Sequence, residues 1–261
     1  MTTEKGAVLV TGASSGIGEA FARRFASRNR NLILVARRSE RLMQLASELE
    51  SAHKISVLTI TADLSTQEGC AAVHRGVIDA GWSVETLVNN AGFGLLGKFE
   101  EIDSQRNLEM VDLNCRAVVA LTQMFLPQMK AQGRGDIIIV SSVVGALPAP
   151  WFSVYAATKS FDLYFGEALH GECKGTGVNI LTVLPGLTRT EFQASSGLRE
   201  YHSPYRTADQ VVTTALGALG KKSIVVDGIA NKLLVHGTRF LPRSIVALIS
   251  RFVMRVECKI A

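Results

Sequence analysis

Short runs rich in Val, Ile and Leu recur along this chain, at residues 7–10, 31–36, 55–60, 85–88, 136–140, 178–184 and 223–226. Most are nearly continuous rather than alternating in polarity, the pattern of strands buried on both faces. Helical stretches such as 16–27, 40–51 and 105–129 lie between them. Strand and helix in alternation predict a parallel sheet covered by helices on both sides. Right-handed crossovers then leave an α/β, doubly wound sheet of seven strands as the simplest closure. Its ligand site is expected at the carboxyl ends of the strands.

The chain has 261 residues, 47% of them apolar, and carries no Pro/Ser-rich linker, low-complexity run or internal repeat. Residues 1–261 are therefore expected to form one domain. Six basic residues (Lys232, Arg239, Arg243, Arg251, Arg255, Lys259) and one acidic residue (Glu257) fall within 231–261, which accounts for the whole formal charge of +5. Residues 1–230 are neutral, so the high isoelectric point belongs to the tail and gives no support to a nucleic-acid groove. Cys70, Cys115, Cys173 and Cys258 are far apart and the five histidines are scattered. Neither a metal site nor a redox pair is expected. No basic and apolar leader precedes the first strand, and no apolar run nears the roughly 18 residues of a membrane span, so a cytoplasmic location is expected.

The first strand leads into Thr11-Gly12-Ala13-Ser14-Ser15-Gly16-Ile17-Gly18. Glycine has no Cβ, so a pyrophosphate can approach this backbone, and the following helix offers unpaired N–H groups and a positive dipole end. Alone, such a cluster is as often an ordinary tight turn. At the end of the first strand of a doubly wound sheet it reads as a dinucleotide cradle. The second strand ends in Ala36-Arg37-Arg38, where NAD-preferring proteins of this fold carry an acidic residue for the ribose hydroxyls. An arginine there can pair with a 2′-phosphate. One charge-assisted hydrogen bond contributes roughly 1.5–3 kcal/mol, a preference for NADP(H) on the order of 10- to 100-fold. Two solvated arginines at a helix start are the plainer alternative.

Tyr155 and Lys159 lie one helical turn apart after Pro148-Ala149-Pro150, with β-carbons about 5–6 Å apart. A free tyrosine, with a pKa of about 10, is a poor base at neutral pH. An ammonium at about 4 Å, with an effective dielectric near 20, favours the phenolate by roughly 4 kcal/mol, about three pKa units. Ser142 ends the fifth strand thirteen residues before Tyr155; Ser141 competes with it, but the spacing favours Ser142. Asp162, Glu167 and His170 form no second acid/base set and are expected to be exposed.

Taken in order, the G-x-x-x-G-x-G turn, Asn89-Asn90-Ala91-Gly92, Ser142 and Tyr155-x-x-x-Lys159 resemble the short-chain dehydrogenase/reductase family from about residue 5 to 190. The resemblance implies a Rossmann-like fold, a homodimer or homotetramer, and an NADP(H)-dependent enzyme interconverting a small-molecule carbonyl and a secondary alcohol. Tyr155 is then the acid/base, Ser142 bonds the same oxygen, Lys159 also binds the nicotinamide ribose, and Asn114 holds a water of the proton relay. The cofactor is implied to lie against Gly12, Ser14, Ser15, Gly16, Ile17, Gly18, Arg37 and Arg38. Asp63 and Leu64 are implied beside its adenine, and Asn90, Ala91 and Gly92 around its adenosine. Pro185-Gly186 with Thr188 and Thr190 resembles the family's P-G-x-x-x-T, which holds the nicotinamide carboxamide. Residues 187–206, with Phe192, Tyr201 and Tyr205, are expected to form a substrate lid, whose apolar side chains suggest a hydrophobic ketone or a 3-oxoacyl substrate. Rival readings are a cofactor-sensing protein without turnover and a membrane-associated scaffold. Sensors of this kind usually lack part of the Tyr/Lys/Ser set, which is complete here.

Past Val226-Asp227-Gly228-Ile229 the resemblance narrows to a subgroup of bacterial reductases with a basic C-terminal helix and, more distantly, to 3-oxoacyl-CoA reductases. Ile245, Val246, Leu248, Ile249, Phe252, Val253 and Val256 follow helical spacing, with Arg243, Arg251 and Arg255 mainly elsewhere. Residues 231–261 thus read as a basic amphipathic extension, expected to pack on the body or a second subunit. Peripheral docking on anionic lipid is the alternative.

Overall fold

The expected strands pair into one seven-stranded sheet in the structure, a computed structural model that describes residues 5–197 and 205–258. The first half comprises β1 (Lys5–Thr11), α1 (Gly16–Ala26), β2 (Asn31–Ala36), α2 (Ser39–His53), β3 (Val57–Thr61), α3 (Gln67–Asp79) and β4 (Trp82–Asn89). There follow α4 (Ser104–Val111), α5 (Ala117–Ala131), β5 (Gly135–Val140), α6 (Ser153–Glu172) and β6 (Val178–Leu184). The remainder holds β7 (Thr188–Arg189), α7 (Phe192–Ser196), β8 (Arg206–Thr207), α8 (Ala208–Ala218), β9 (Ile224–Val226), α9 (Ile229–Gly237) and α10 (Arg243–Cys258). Sheet order is β3-β2-β1-β4-β5-β6-β9, with every pairing parallel.

The runs are continuously apolar because both faces of each strand are covered. Val8 and Val10 of β1 pack with Phe21 and Phe25 of α1 and Val211, Val212 and Ala215 of α8. Ala7 and Leu9 pack on the opposite face with Val73 of α3 and Leu121, Phe125 and Met129 of α5. Each large side chain so buried stabilises the fold by roughly 1.5–3 kcal/mol relative to exposure. Chain order runs one way from β1 to β3 and the other from β4 to β6, which opens a crevice beyond the carboxyl ends of β1 and β4.

One expected helix is interrupted. The stretch 105–129 divides into α4 and α5 around a π-helical turn at Asp112–Arg116. Of the expected lid, β7, α7 and β8 are described, whereas Tyr201 and the rest of 198–204 lie outside the described residues. No helix among the described residues is long and apolar enough to cross a membrane.

Candidate active site

Thr11, at the end of β1, fixes the crevice floor. Its hydroxyl donates to Val88 O (3.1 Å) and accepts from the N–H groups of Asn90 (2.9 Å) and Ala91 (3.0 Å). Asn90 Nδ2 returns a bond to Thr11 O at 2.9 Å. The turn that follows depends on glycine: Gly12 and Gly16 have φ of +65° and +59°, and a Cβ on Gly18 would stand 2.3 Å from Gly12 O. Ser15 makes no side-chain capping bond to the N–H groups that open α1. Ser14, Ser15, Gly16 and Ile17 all line the adjoining cavity. A backbone cradle with N–H groups at a helix start fits a pyrophosphate.

Arg38 reaches into this cradle. It donates to Ser14 Oγ (3.1 Å), Ser15 Oγ (2.7 Å) and Glu191 Oε2 (2.7 Å), and Arg41 of α2 donates to Glu191 Oε1 (2.6 Å). The two guanidiniums hold the Glu191 carboxyl below the usual range. Glu191 thus places an anion between two arginines beside the cradle, and neither it nor Arg41 carries a local sequence signal. Arg37 lines the cavity with Asp63 and Leu64. Burial works to raise the Asp63 pKa, but hydrogen bonds from the Ser65 hydroxyl (2.8 Å) and N–H (3.0 Å), with the charge of Arg37, hold it low. Thr66 rather than Asp63 caps α3, accepting from Gly69 N–H at 2.9 Å.

Tyr155 and Lys159 come together near the start of α6, both buried. The Ser142 hydroxyl donates to Pro185 O at 3.5 Å and stands close enough to Tyr155 to favour its phenolate. Ser141 instead donates to Lys159 O at 2.6 Å, so its hydroxyl is held by the α6 backbone. Lys159 Nζ donates to Val140 O and to Asp162 Oδ2, each at 2.9 Å. Asp162 is fully buried, which corrects the expectation of an exposed residue. It falls three residues after Lys159 and seven after Tyr155, on the α6 face that also buries Gly166 and Leu169. Glu167 and His170 are half-buried, and His170 Nδ1 lies 3.0 Å from Ile180 O.

That acid changes the electrostatics. Burial pushes the Tyr155 hydroxyl above its ordinary value; Lys159 and Ser142 pull it down, while Asp162 pushes it further up. The three-unit fall expected from lysine alone is absent because the ring lies between Phe152 (4.4 Å) and Phe192 (5.4 Å) and Asp162 offsets the ammonium. Burial likewise disfavours the Lys159 charge, but Asp162 and Tyr155 more than restore it.

Asn114 sits fully buried in the π-helical turn. Its Nδ2 donates to Phe93 O (2.9 Å) and Thr158 Oγ1 (3.0 Å), and its Oδ1 accepts from Phe93 N–H (3.1 Å). Gly92 is confined by this contact, since a Cβ there would lie 2.9 Å from Asn114 Oδ1. Pro185, Gly186, Thr188 and Thr190 lie across the crevice, and Thr188 Oγ1 donates to Gly186 O at 3.0 Å. With Gly92, Ser142, Tyr155 and Lys159 they line one cavity of about 860 Å³, whose wall does not include Asn114. Its outer wall includes Phe93, Phe152 and Phe192, with Leu234 of α9 and Val246 and Val253 of α10. The contribution of α10 was not foreseen from the sequence.

A doubly wound sheet with this cradle and a Ser/Tyr/Lys cluster defines a nucleotide-dependent oxidoreductase class. The chain belongs to the short-chain dehydrogenase family, whose model, described as short chain dehydrogenase, matches residues 6–200. It is 39% identical over 187 residues to sulfoacetaldehyde reductase 2 of Chromohalobacter salexigens, covering 71% of this chain and 73% of that protein. It is 34% identical over 206 residues to an NADP-dependent 3-hydroxy acid dehydrogenase of Schizosaccharomyces pombe, covering 78% of each. Among solved structures, a short-chain dehydrogenase from Sphingobium yanoikuyae in complex with NADPH superposes with a TM-score of 0.80 at 33% identity, covering 90% of this chain and 93% of that one. The protein is accordingly an oxidoreductase of carbonyl and alcohol groups that uses a nicotinamide cofactor.

Proposed function

We propose that the protein is an NADP(H)-dependent reductase of hydrophobic ketones or 3-oxoacyl groups, acting reversibly on secondary alcohols with Tyr155 as acid/base. The observation that carries this reading is the convergence of part-buried Ser142 with buried Tyr155 and Lys159 in a cavity with apolar outer walls. Gly12, Ser14, Ser15, Gly16, Ile17 and Gly18 would hold the dinucleotide. Asp63, Leu64, Asn90, Ala91 and Gly92 flank its adenosine end, and Pro185, Gly186, Thr188 and Thr190 its nicotinamide end. Arg38, joined to Ser14 and Ser15, and Arg37 favour a 2′-phosphate, a preference also supported by the NADP and NADPH named for two of the relatives. When bound, the cofactor supplies or accepts a hydride at the substrate carbon.

Tyr155 gives its proton to the carbonyl oxygen as negative charge develops there, and takes one from the alcohol in the reverse direction. Ser142 bonds the same oxygen and so fixes its distance from the tyrosine. The Lys159 ammonium lowers the cost of proton loss from Tyr155, and Asp162 keeps that ammonium charged and in place. Asn114 ties the π-helical turn to Phe93 and Thr158, holding the relay side of the site beside Lys159. We place the enzyme in the cytoplasm as a homodimer or homotetramer, for which exposed Leu108 and Val111 of α4 and Phe161 and Tyr164 of α6 offer an apolar contact face. The test is consumption of NADPH and NADH against ketones, 3-oxoacyl thioesters, steroids and sugars. Faster use of NADPH with apolar carbonyls is expected. Binding of NADPH with no turnover on any carbonyl would establish the sensor reading instead.

A further inference from the structure

Helix α9 separates two cavities. Ala230, Leu234 and Thr238 face the active site, whereas Lys232, Val235 and Arg239 face a second cavity of about 340 Å³. Its polar lining is Lys222, Lys232, His236 and Arg239 with one acid, Glu167, over an apolar floor that includes Leu163 and Leu184. The remaining side of α9 and the turn after it are bare apolar surface: Ile229, Leu233 and Phe240 are 78%, 71% and 88% exposed. Leu248 and Phe252 of α10 are similarly bare, and exposed Arg251 and Arg255 flank them. Residues 229–256 contain no acidic side chain. Among the described residues, Lys232, Arg239, Arg243, Arg251 and Arg255 make no ion pair.

We propose that this face docks on an anionic phospholipid bilayer. Ile229, Leu233, Phe240, Leu248 and Phe252 enter the boundary between headgroups and acyl chains, and the cavity of Lys222, Lys232 and Arg239 receives a lipid phosphate. Charge decides the occupant. A second copy of the same face would bring further cations with Glu167 as the one acid of its cavity, whereas an anionic surface neutralises the basic set while the apolar side chains leave water. Docking also sets the active-site mouth at the bilayer, because Val246 and Val253 on the inner side of α10 wall that cavity. A hydrophobic carbonyl could then enter from the lipid; this consequence rests on the proposed substrate class, but docking does not.

Flotation with vesicles of phosphatidylcholine, with and without phosphatidylglycerol, tests the proposal. The protein should bind the anionic vesicles at least about tenfold more tightly, and binding should fall as salt shortens the Debye length. Lys232→Gln with Arg239→Gln should weaken binding about 10- to 30-fold, at roughly a factor of five per surface cation. Leu233→Ser with Phe240→Ser should weaken it comparably and leave turnover of a water-soluble ketone unchanged, since neither residue lines the active site. Failure to bind anionic vesicles at low salt overturns the proposal. So does binding of soluble glycerol phosphate without vesicle association, or a self-association in sedimentation that the serine variants abolish.

Discussion

Replacing Asp162 by Asn preserves its shape and removes the negative charge buried beside Lys159. One carboxylate oxygen lies 2.9 Å from Lys159 Nζ and the other has no hydrogen-bond partner among the described residues. Seven residues along α6 separate Asp162 from Tyr155, about 10 Å of helix axis. Two charges at that distance, with an effective dielectric near 20, interact by roughly 1.7 kcal/mol, a little over one pKa unit. The sign follows from the charge: a carboxylate disfavours the phenolate, so removing it lowers the Tyr155 pKa. Lys159 keeps its bond to Val140 O, and the phenolate itself continues to favour the ammonium. Cys115, whose thiol burial and Asp162 push up to about 12, does not titrate in the working range. Under the proposed mechanism alcohol oxidation requires unprotonated Tyr155, so its rate should rise with pH through that group. In Asp162→Asn the rising limb of kcat/KM should move about one unit toward acid, while Asp162→Glu, which keeps the charge, should leave it in place. The assay is the pH profile of alcohol oxidation with NADP, with folding checked by circular dichroism. An unmoved limb in folded Asp162→Asn, or a shift toward alkali, would show that the Asp162 charge does not act on Tyr155.

Changing Arg37 and Arg38 together to Ala should weaken NADPH binding by roughly 1–4 kcal/mol after discounting for solvent exposure, with little effect on NADH; equal weakening by titration calorimetry would show a structural role. Glu191→Gln should tighten NADPH binding, because the carboxylate occupies both Arg38 and Arg41. These pairs are half exposed, so roughly 0.2–1 kcal/mol each is released, a gain of a few fold, and weaker binding contradicts the competition. Gly18→Ala sets a Cβ 2.3 Å from Gly12 O, which should lower stability by about 1–3 kcal/mol and weaken both cofactors; an unchanged melting temperature and affinity would contradict this.

Most of the sheet was legible because strands buried on both faces leave continuous apolar runs. The bounds 31–36 and 178–184 coincide with β2 and β6. The break in 105–129 was not legible, since the π-helical turn accompanies bonds from Asn114 to Phe93 and Thr158, contacts with no local periodicity. Asp162 was misplaced for a related reason. Its charge pointed to solvent, whereas its seven-residue spacing from Tyr155 put it on the same face of α6, and that spacing was the usable signal. Arg41 and Glu191 meet only through tertiary folding, 150 residues apart. The amphipathic pattern of α10 was readable, but which side would cover the cavity was not. Val246 is buried there, while Leu248 and Phe252 remain exposed.

In the proposed mechanism Tyr155 supplies the proton for carbonyl reduction. The most direct test of this role follows deuterium from nicotinamide-labelled NADPH into the product alcohol, for the wild type and Tyr155→Phe, with cofactor affinity measured alongside. Deuterium is expected at the carbinol carbon for the wild type, with a 10²- to 10⁴-fold slower transfer in Tyr155→Phe at nearly unchanged NADPH affinity. Transfer by Tyr155→Phe at more than about a tenth of the wild-type rate would contradict this role.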